Sequence, residues 1–301
     1  MKRTSNRFEI DENEHLKKYG YTILSTLDEG SFAKVKEGYD ENNKRKAAIK
    51  IIDERVVRKN FKVKFLPREL AIFPLLDHPN IIKLFHEIRV GHKIYVVMEF
   101  AGHGNLLDYV ELHGGLLEPK SKAFFSSILS AISYMHSKQI VHRDIKCENI
   151  LLNRENEVKV SDFGFAREIK EGQLSSTFCG SMAYSCPEIL QKKPYYPMSA
   201  DAWALGIVLF KMVFNRFPYK SHDMNNIIKM QTEKKFTFPK VVSYSLQDMI
   251  NNILEPQLDK RFGVTDIISH TWIKYVYAEE NSHKAEAVER PANTETVAAA
   301  E

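Results

Sequence analysis

Cysteine is scarce in this sequence: three residues in 301, at Cys147, Cys179 and Cys186. An odd number, at spacings that fit no zinc pattern, excludes a disulfide framework in a chain this long. Free thiols in a reducing compartment are the expectation, with a redox role open for Cys147 and Cys179. Long apolar runs are absent too. The longest, Ala202 to Phe210, is well short of a membrane span. Met1 to Asp11 is polar and has no apolar signal core. Excess charge is also missing. The net charge is +4, and lysines and arginines are mixed with acids along the chain, which gives no cue for nucleic acid. No internal repeat is evident. These absences leave a cytoplasmic protein with no membrane or nucleic-acid partner as the expectation. At 44% hydrophobic composition, 301 residues can bury a core in one large domain or two lobes.

The most informative stretch is 142–164. It holds His142-Arg143-Asp144, then Lys146 and Asn149, and ends in Asp162-Phe163-Gly164. Between them lie the apolar Ile150-Leu151-Leu152, polar turn residues from Asn153 to Glu157, and Val158-Lys159-Val160. Alternation and turn residues predict a hairpin. A hairpin brings its ends together, so Asp144, Asn149 and Asp162 meet at one mouth. Two carboxylates and an amide offer hard oxygens that suit Mg²⁺. A neighbouring lysine can neutralise a transferring phosphate.

The remaining chain frames that stretch. Residues 1–18 read as a short, loosely held lead-in. Tyr21 to Leu27, Phe32 to Tyr39 and Ala47 to Ile52 read as strands of an antiparallel meander, with a turn at Asp28 to Ser31. Glu69 falls on a short helix expected near 66–76, with Leu66, Leu70 and Phe73 on one face. Pro67 suits its first turn and Pro74 its end. Asp77 to Asn80 is a turn. Ile81 to Phe85 and Lys93 to Met98 read as further strands, joined by a polar connection. Gly102 and Gly104 then mark a hinge or linker. From Asn105 helical periodicity takes over, with Phe124, Ile128, Ile132 and Met135 on one stripe. Helices are also expected over Asp201 to Gly206 and onwards, Ile227 to Met230, Leu246 to Leu254 and Val264 to Ile268. Residues from about 278 to 301 are poor in large apolar groups and read as a disordered tail.

The pairing of His142-Arg143-Asp144 with Asp162-Phe163-Gly164, in this order and spacing, resembles the catalytic and magnesium loops of eukaryotic protein kinases. The resemblance covers roughly residues 19–277. It implies an α+β bilobal fold: a small antiparallel β-rich N-lobe (19–98) carrying one helix, a hinge (99–104), and a larger, mainly α-helical C-lobe (105–277). It implies ATP and Mg²⁺ as cofactors. Lys50, held by Glu69, would contact the α- and β-phosphates. Asp144 would orient the acceptor hydroxyl and take its proton, and Lys146 would stabilise the moving phosphoryl group. Asn149 and Asp162 would hold the metal. Leu27, Gly30, Val35, Ala48, Met98, Leu151 and the backbone of Glu99 and Ala101 would form the nucleotide pocket.

Lys146, two residues after Asp144, resembles the serine/threonine kinases, with Ser181 as the loop hydroxyl that contacts both. Thr177-Phe178-Cys179-Gly180-Ser181 and His270-Thr271-Trp272 are similar to the calmodulin-dependent and AMP-activated group. Within it, the wording most resembles the testis-specific serine kinases. No basic amphipathic helix follows, so calcium control is not expected. Thr177 resembles an activating phosphosite, with Arg143 and Arg167 to receive the phosphate and order the loop. Glu188 is expected to pair with Arg261, and Asp201 to brace the catalytic loop, although an acid at a helix start also reads as a cap. Glu148 resembles a position that favours a basic residue upstream of the acceptor; Asn105 stands where a second acid is frequent. Protein substrates, an upstream activating kinase and a chaperone are the implied partners.

One segment departs from the family pattern. Of the three glycines of the lid over ATP, only Gly30 remains; Asp28 and Ala33 hold the other positions. Glycine there lets backbone N–H groups approach phosphates closely. The alternative reading is therefore a pseudokinase acting as a scaffold or allosteric partner. Retention of Lys50, Glu69, Asp144, Asn149 and Asp162 argues against it. A P-loop NTPase finds no support, since no Gly-x-x-x-x-Gly-Lys-Ser/Thr run occurs.

Overall fold

The structure, a computed structural model, describes residues 13–30, 33–57, 61–170 and 172–274. Five antiparallel strands form the N-terminal sheet: β1 (Tyr21–Glu29), β2 (Lys34–Asp40), β3 (Arg45–Asp53), β4 (Leu84–Val90) and β5 (Lys93–Glu99), in the order β1-β2-β3-β5-β4. Side chains alternate across a strand, and β3 shows the consequence. Ala47, Ile49 and Ile51 join Leu16 and Tyr21 in a small core on one face. Ala48, Lys50 and Ile52 therefore share the opposite face. The register sets Val35 opposite Lys50 and Ala48 opposite Met98.

Helices dominate the other lobe. These are α2 (Leu106–Leu112), α3 (Glu118–Ser137), α4 (Pro187–Leu190), α5 (Pro197–Phe214), α6 (Met224–Thr232), α7 (Tyr244–Ile253) and α8 (Val264–Ser269). All four residues of the predicted α3 stripe are buried. Helix α5 is long and apolar enough to cross a membrane by length and composition, yet 89% of it is buried inside the protein. It is the central core helix, surrounded by α3, α7 and α8. The predicted hairpin forms, with β7 (Ile150–Leu152) paired to β8 (Val158–Val160). Strand β6 (Ile140–Val141) pairs with β9 (Arg167–Glu168).

Three local expectations need correction. Residues 13–17 are not a loose lead-in: they are helical. Leu16 is fully buried, and Asn13 Oδ1 accepts the Ile23 N–H at 2.8 Å. Residues 1–12 of that lead-in and the tail from 278 lie outside the described residues.

The helix expected near 66–76 is the second part of a longer helical run. A π-helical turn, Phe61–Phe65, precedes α1 (Leu66–Ile72), and a 3-10 turn, Phe73–Leu75, follows it. Pro67 has no N–H to donate back and its ring crowds the carbonyl four residues earlier, so the turn before it opens. Pro74 tightens the end into the 3-10 turn.

The strand expected at Ile81–Phe85 begins later and runs Leu84–Val90. Its charged residues Glu87 and Arg89 belong to the exposed face of a half-buried strand, while Ile88 reaches the core. Ile81 makes only an isolated parallel bridge to Val160.

Candidate active site

The hairpin and the two segments that flank it bring the predicted residues together. Asp144 is buried, and each of its oxygens is engaged. Oδ1 accepts from the N–H of Ser181 at 3.0 Å and from its hydroxyl at 3.1 Å. Oδ2 lies 3.1 Å from Lys146 Nζ and accepts from Asn149 Nδ2 at 3.1 Å. Asn149 Nδ2 also donates to the Asp144 carbonyl at 2.9 Å, and Lys146 Nζ donates to Ser181 Oγ at 3.3 Å. Three residues, two of them close in sequence and Ser181 37 positions away, thus fix one carboxylate.

Gly180 makes this approach feasible. Its φ is +93°, and a Cβ there would sit 2.6 Å from the Arg143 carbonyl oxygen. No other residue fits so close to the backbone.

The loop beneath is held from α5. Asp201 accepts the N–H groups of His142 at 2.9 Å and Arg143 at 2.8 Å, and bonds His136 Nε2 at 2.9 Å. Burial opposes its charge, but these donors outweigh it and lower its pKa. Asp201 is the fifth residue of α5 and does not cap it, so bracing is its task. Arg143 adopts φ +66° and Asp162 φ +61°, left-handed backbone for non-glycine residues. Such strain persists where the surroundings fix it.

Across the cleft, Lys50 Nζ donates to Glu69 Oε1 at 2.5 Å and Asp162 Oδ1 at 3.3 Å. Burial works against the lysine's charge; Glu69 and Asp162 together overcome it and raise its pKa. The same Lys50 cation lowers the pKa of Asp162, whose side chain is 44% exposed. Asp162 is therefore ionised at neutral pH. A stack the sequence did not reveal supports this face. The Phe163 ring lies 5.0 Å from Phe73 and 5.6 Å from His142, so the helical run containing Glu69 packs on both loops.

The residues fit a hard metal ion in one way. No group of three or more His, Cys, Asp or Glu gathers as a metal site among the described residues. Asn149 uses Nδ2 in both of its bonds and Asp162 uses Oδ1, so Asn149 Oδ1 and Asp162 Oδ2 remain as oxygen donors. One carboxylate and one amide suit Mg²⁺ completed by phosphates and water.

The residues expected at the nucleotide come from both lobes: Leu27, Val35, Ala48 and Met98 lie on strands of the N-terminal sheet and Leu151 on β7. Leu27 lies on β1 and is 46% exposed, Gly30 ends that turn, and Leu151 bridges Asn105. Glu99 gives its N–H to the Lys83 carbonyl at 2.8 Å. Its carboxylate pairs with Lys159 at 2.8 Å, tying β5 to β8. Ala101 follows, half-buried. In the lid, Asp28 Oδ1 accepts the Glu29 N–H at 2.8 Å, and Lys34 pairs with Glu29 at 2.8 Å.

Other expectations divide. Glu188 and Arg261 form the bidentate pair, at 2.7 and 3.2 Å. Asn105 caps α2, accepting the Asp108 N–H at 2.9 Å, and its Nδ2 donates to Asp108 Oδ2 at 2.8 Å, a bond no acid could make. Glu148 is exposed and accepts from Tyr184 OH at 2.9 Å. Arg143 Nε donates to the Phe165 carbonyl at 2.8 Å, while its Nη1 and Nη2 are buried with no hydrogen bond among the described residues. Arg167 lies opposite Val141 on β9, two residues from Arg143 in register. The redox expectation for Cys147 and Cys179 is not met in the thiols themselves. Burial pushes Cys147 and Cys186 up to about 12 and raises Cys179, so none is poised as a thiolate.

A β-rich lobe, a helical lobe and this double set of carboxylates and lysines define a protein kinase. The family model described as the protein kinase domain matches residues 21–273, and the chain belongs to that family. It is 38% identical over 273 residues to testis-specific serine/threonine-protein kinase 1 of Mus musculus, covering 88% of this chain and 75% of that one. It is 39% identical over 259 residues to testis-specific serine/threonine-protein kinase 3 of Mus musculus, covering 84% and 96%. Probable serine/threonine-protein kinase MARK-A of Dictyostelium discoideum is 37% identical over 254 residues, 84% of this chain and 24% of that one. The chain is a serine/threonine protein kinase, an enzyme with ATP and protein as substrates.

Proposed function

We propose that this kinase transfers the γ-phosphoryl group from Mg-ATP to serine and threonine hydroxyls, and that phosphorylation of Thr177 raises its rate. The observation that carries the reading is the Asp144 cluster facing the Lys50–Glu69–Asp162 cluster. Asp144 orients the acceptor hydroxyl and takes its proton. Lys146 stabilises charge on the moving group. Lys50, positioned by Glu69, holds the α- and β-phosphates. Asn149 and Asp162 hold Mg²⁺, which when bound neutralises phosphate charge. The rate comes from positioning and electrostatics.

For the base, the Glu99 carbonyl and the Ala101 N–H are the hinge groups on offer. Ala48, Met98, Val35, Leu27 and Leu151 enclose it. Gly30 supports a lid role: among the described residues a Cβ there would meet only the Ala33 carbonyl, at 3.5 Å. The packing of the described residues does not demand glycine at that point, whereas a close phosphate would.

Support for Thr177 comes from Arg143. Two buried guanidinium nitrogens with no hydrogen bond of full geometry among the described residues, beside the Tyr195 hydroxyl, suit a phosphate. An upstream kinase is the partner this reading requires.

Incubating the purified protein with Mg-ATP and a Ser/Thr peptide tests the whole. Transfer that stops on chelation is expected, and Thr177→Ala is expected to lower its rate several-fold. A Thr177-phosphorylated protein that transfers nothing sinks the reading. An undiminished Thr177→Ala rate sinks the activation step alone.

A further inference from the structure

Tyr195 was not singled out by any motif, yet it is 1% exposed and joined to the activation segment at three points. The Ser175 N–H donates to the Tyr195 carbonyl at 2.8 Å, and the Tyr195 N–H donates back to the Ser175 carbonyl at 3.0 Å. The Tyr195 hydroxyl donates to the Thr177 carbonyl at 2.8 Å. Ser175, itself 2% exposed, accepts the Thr177 N–H on Oγ at 3.2 Å. Both backbone polar groups of Thr177 are therefore used, and its hydroxyl is in none of these bonds. The Phe178 ring lies 6.4 Å from the Tyr195 ring.

The same short segment ends at the reacting carboxylate. Gly180 packs on the Arg143 carbonyl, and Ser181 bonds Asp144. Tyr195 lies two residues before α5, whose Asp201 holds the N–H groups of His142 and Arg143. One helix thus refers both the catalytic loop and the segment above it to the same frame. Burial raises the Tyr195 pKa against the pull of Ser175 and Arg143, so the phenol stays a donor.

We infer that Tyr195 is a positioning residue for phosphotransfer: with Ser175 it latches Thr177 to the start of α5 and so keeps Ser181 on Asp144. Resting on the Thr177 reading above, the inference deepens it. Modification of Thr177 adds to a segment that the chain's own atoms already place. The latch matters most when Thr177 is unmodified and is largely redundant once a phosphate joins Arg143.

Two variants test this, each removing one hydroxyl: Tyr195→Phe and Ser175→Ala. Each is made in the full chain, in a Thr177→Ala background and in Thr177-phosphorylated protein. Hydrogen exchange over 174–181 and steady-state kinetics on a Ser/Thr peptide are the readouts. In the Thr177→Ala background both variants are expected to speed exchange there and raise the peptide KM about fivefold, the worth of one hydrogen bond. The KM for ATP stays unchanged. In phosphorylated protein the loss shrinks. Exchange and peptide KM equal to the parent in both variants overturn the inference, as does an equal loss with and without phosphate. Should the parent transfer no phosphoryl group, the kinase reading has failed, and exchange still decides whether the latch exists.

Discussion

The floor of the cleft and its lid are built to different standards. In the floor, Arg143, Asp144 and Asn149 are 7%, 5% and 7% exposed, and hydrogen bonds from several segments converge on them. In the lid, Leu27 is 46% exposed, and the pair nearest the turn, Lys34–Glu29, is largely in water at 55% and 62% side-chain exposure. Exposed pairs of that kind contribute little to stability. A buried carboxylate tied to Ser181, Lys146 and Asn149 has no such latitude, because losing one partner strands the others. The difference teaches where sequence change is affordable in this fold. Asp28 and Ala33 stand at the expected lid and make none of the hydrogen bonds that fix Asp144.

The largest expected effect breaks the floor. Asp144→Asn removes the proposed proton acceptor and is expected to lower phosphotransfer by about 10²–10⁴-fold, measured as the rate of label transfer from ATP to peptide. Next is Arg261→Ala, which leaves Glu188 half-buried and unpaired and removes the cation lying 4.8 Å over Trp203. A loss of about 3–5 kcal/mol is expected in urea unfolding; an unchanged midpoint contradicts it.

A third test concerns pH. The Asp162 pKa is depressed in the fold, so its contribution is present above the unfolded value of about 4 and lost as pH falls through the folded one. Lys50, whose pKa is raised, contributes fully below about 10.4 and loses that only as pH rises further. In Asp162→Asn the acid limb of melting temperature against pH should therefore be shallower; an identical limb contradicts the coupling. The smallest effect belongs to the lid. Asp28→Gly removes an exposed carboxylate near a polyanion and is expected to tighten ATP by about fivefold or less, read as the shift in melting temperature with Mg-ATP.

Much of the floor was legible in the sequence because its residues are close together there. The hairpin follows from alternation around a polar turn, and it carries Asn149 to Asp162. The Glu188–Arg261 pair and the Asp201 brace were accessible only through family resemblance, since 73 and some 58 residues separate the partners. What stayed hidden depends on tertiary contact. The π-helical turn before Pro67 is invisible to a period-3.6 reading. Leu16 looks like one apolar residue among charges until the sheet face it covers is known. The Phe73–Phe163–His142 stack and the Tyr195 contacts join segments with no common pattern. In β4 a half-buried strand with charged outer residues resembles a polar connection until β5 pairs with it.

The contrast between floor and lid meets its most direct test in single-turnover phosphoryl transfer at saturating Mg-ATP, with the parent, Asp144→Asn and Asp28→Gly compared side by side. Saturation removes differences in nucleotide affinity, so the rate reports the floor alone. Asp144→Asn should collapse while Asp28→Gly matches the parent. Transfer by Asp144→Asn at the parent's rate would contradict the account.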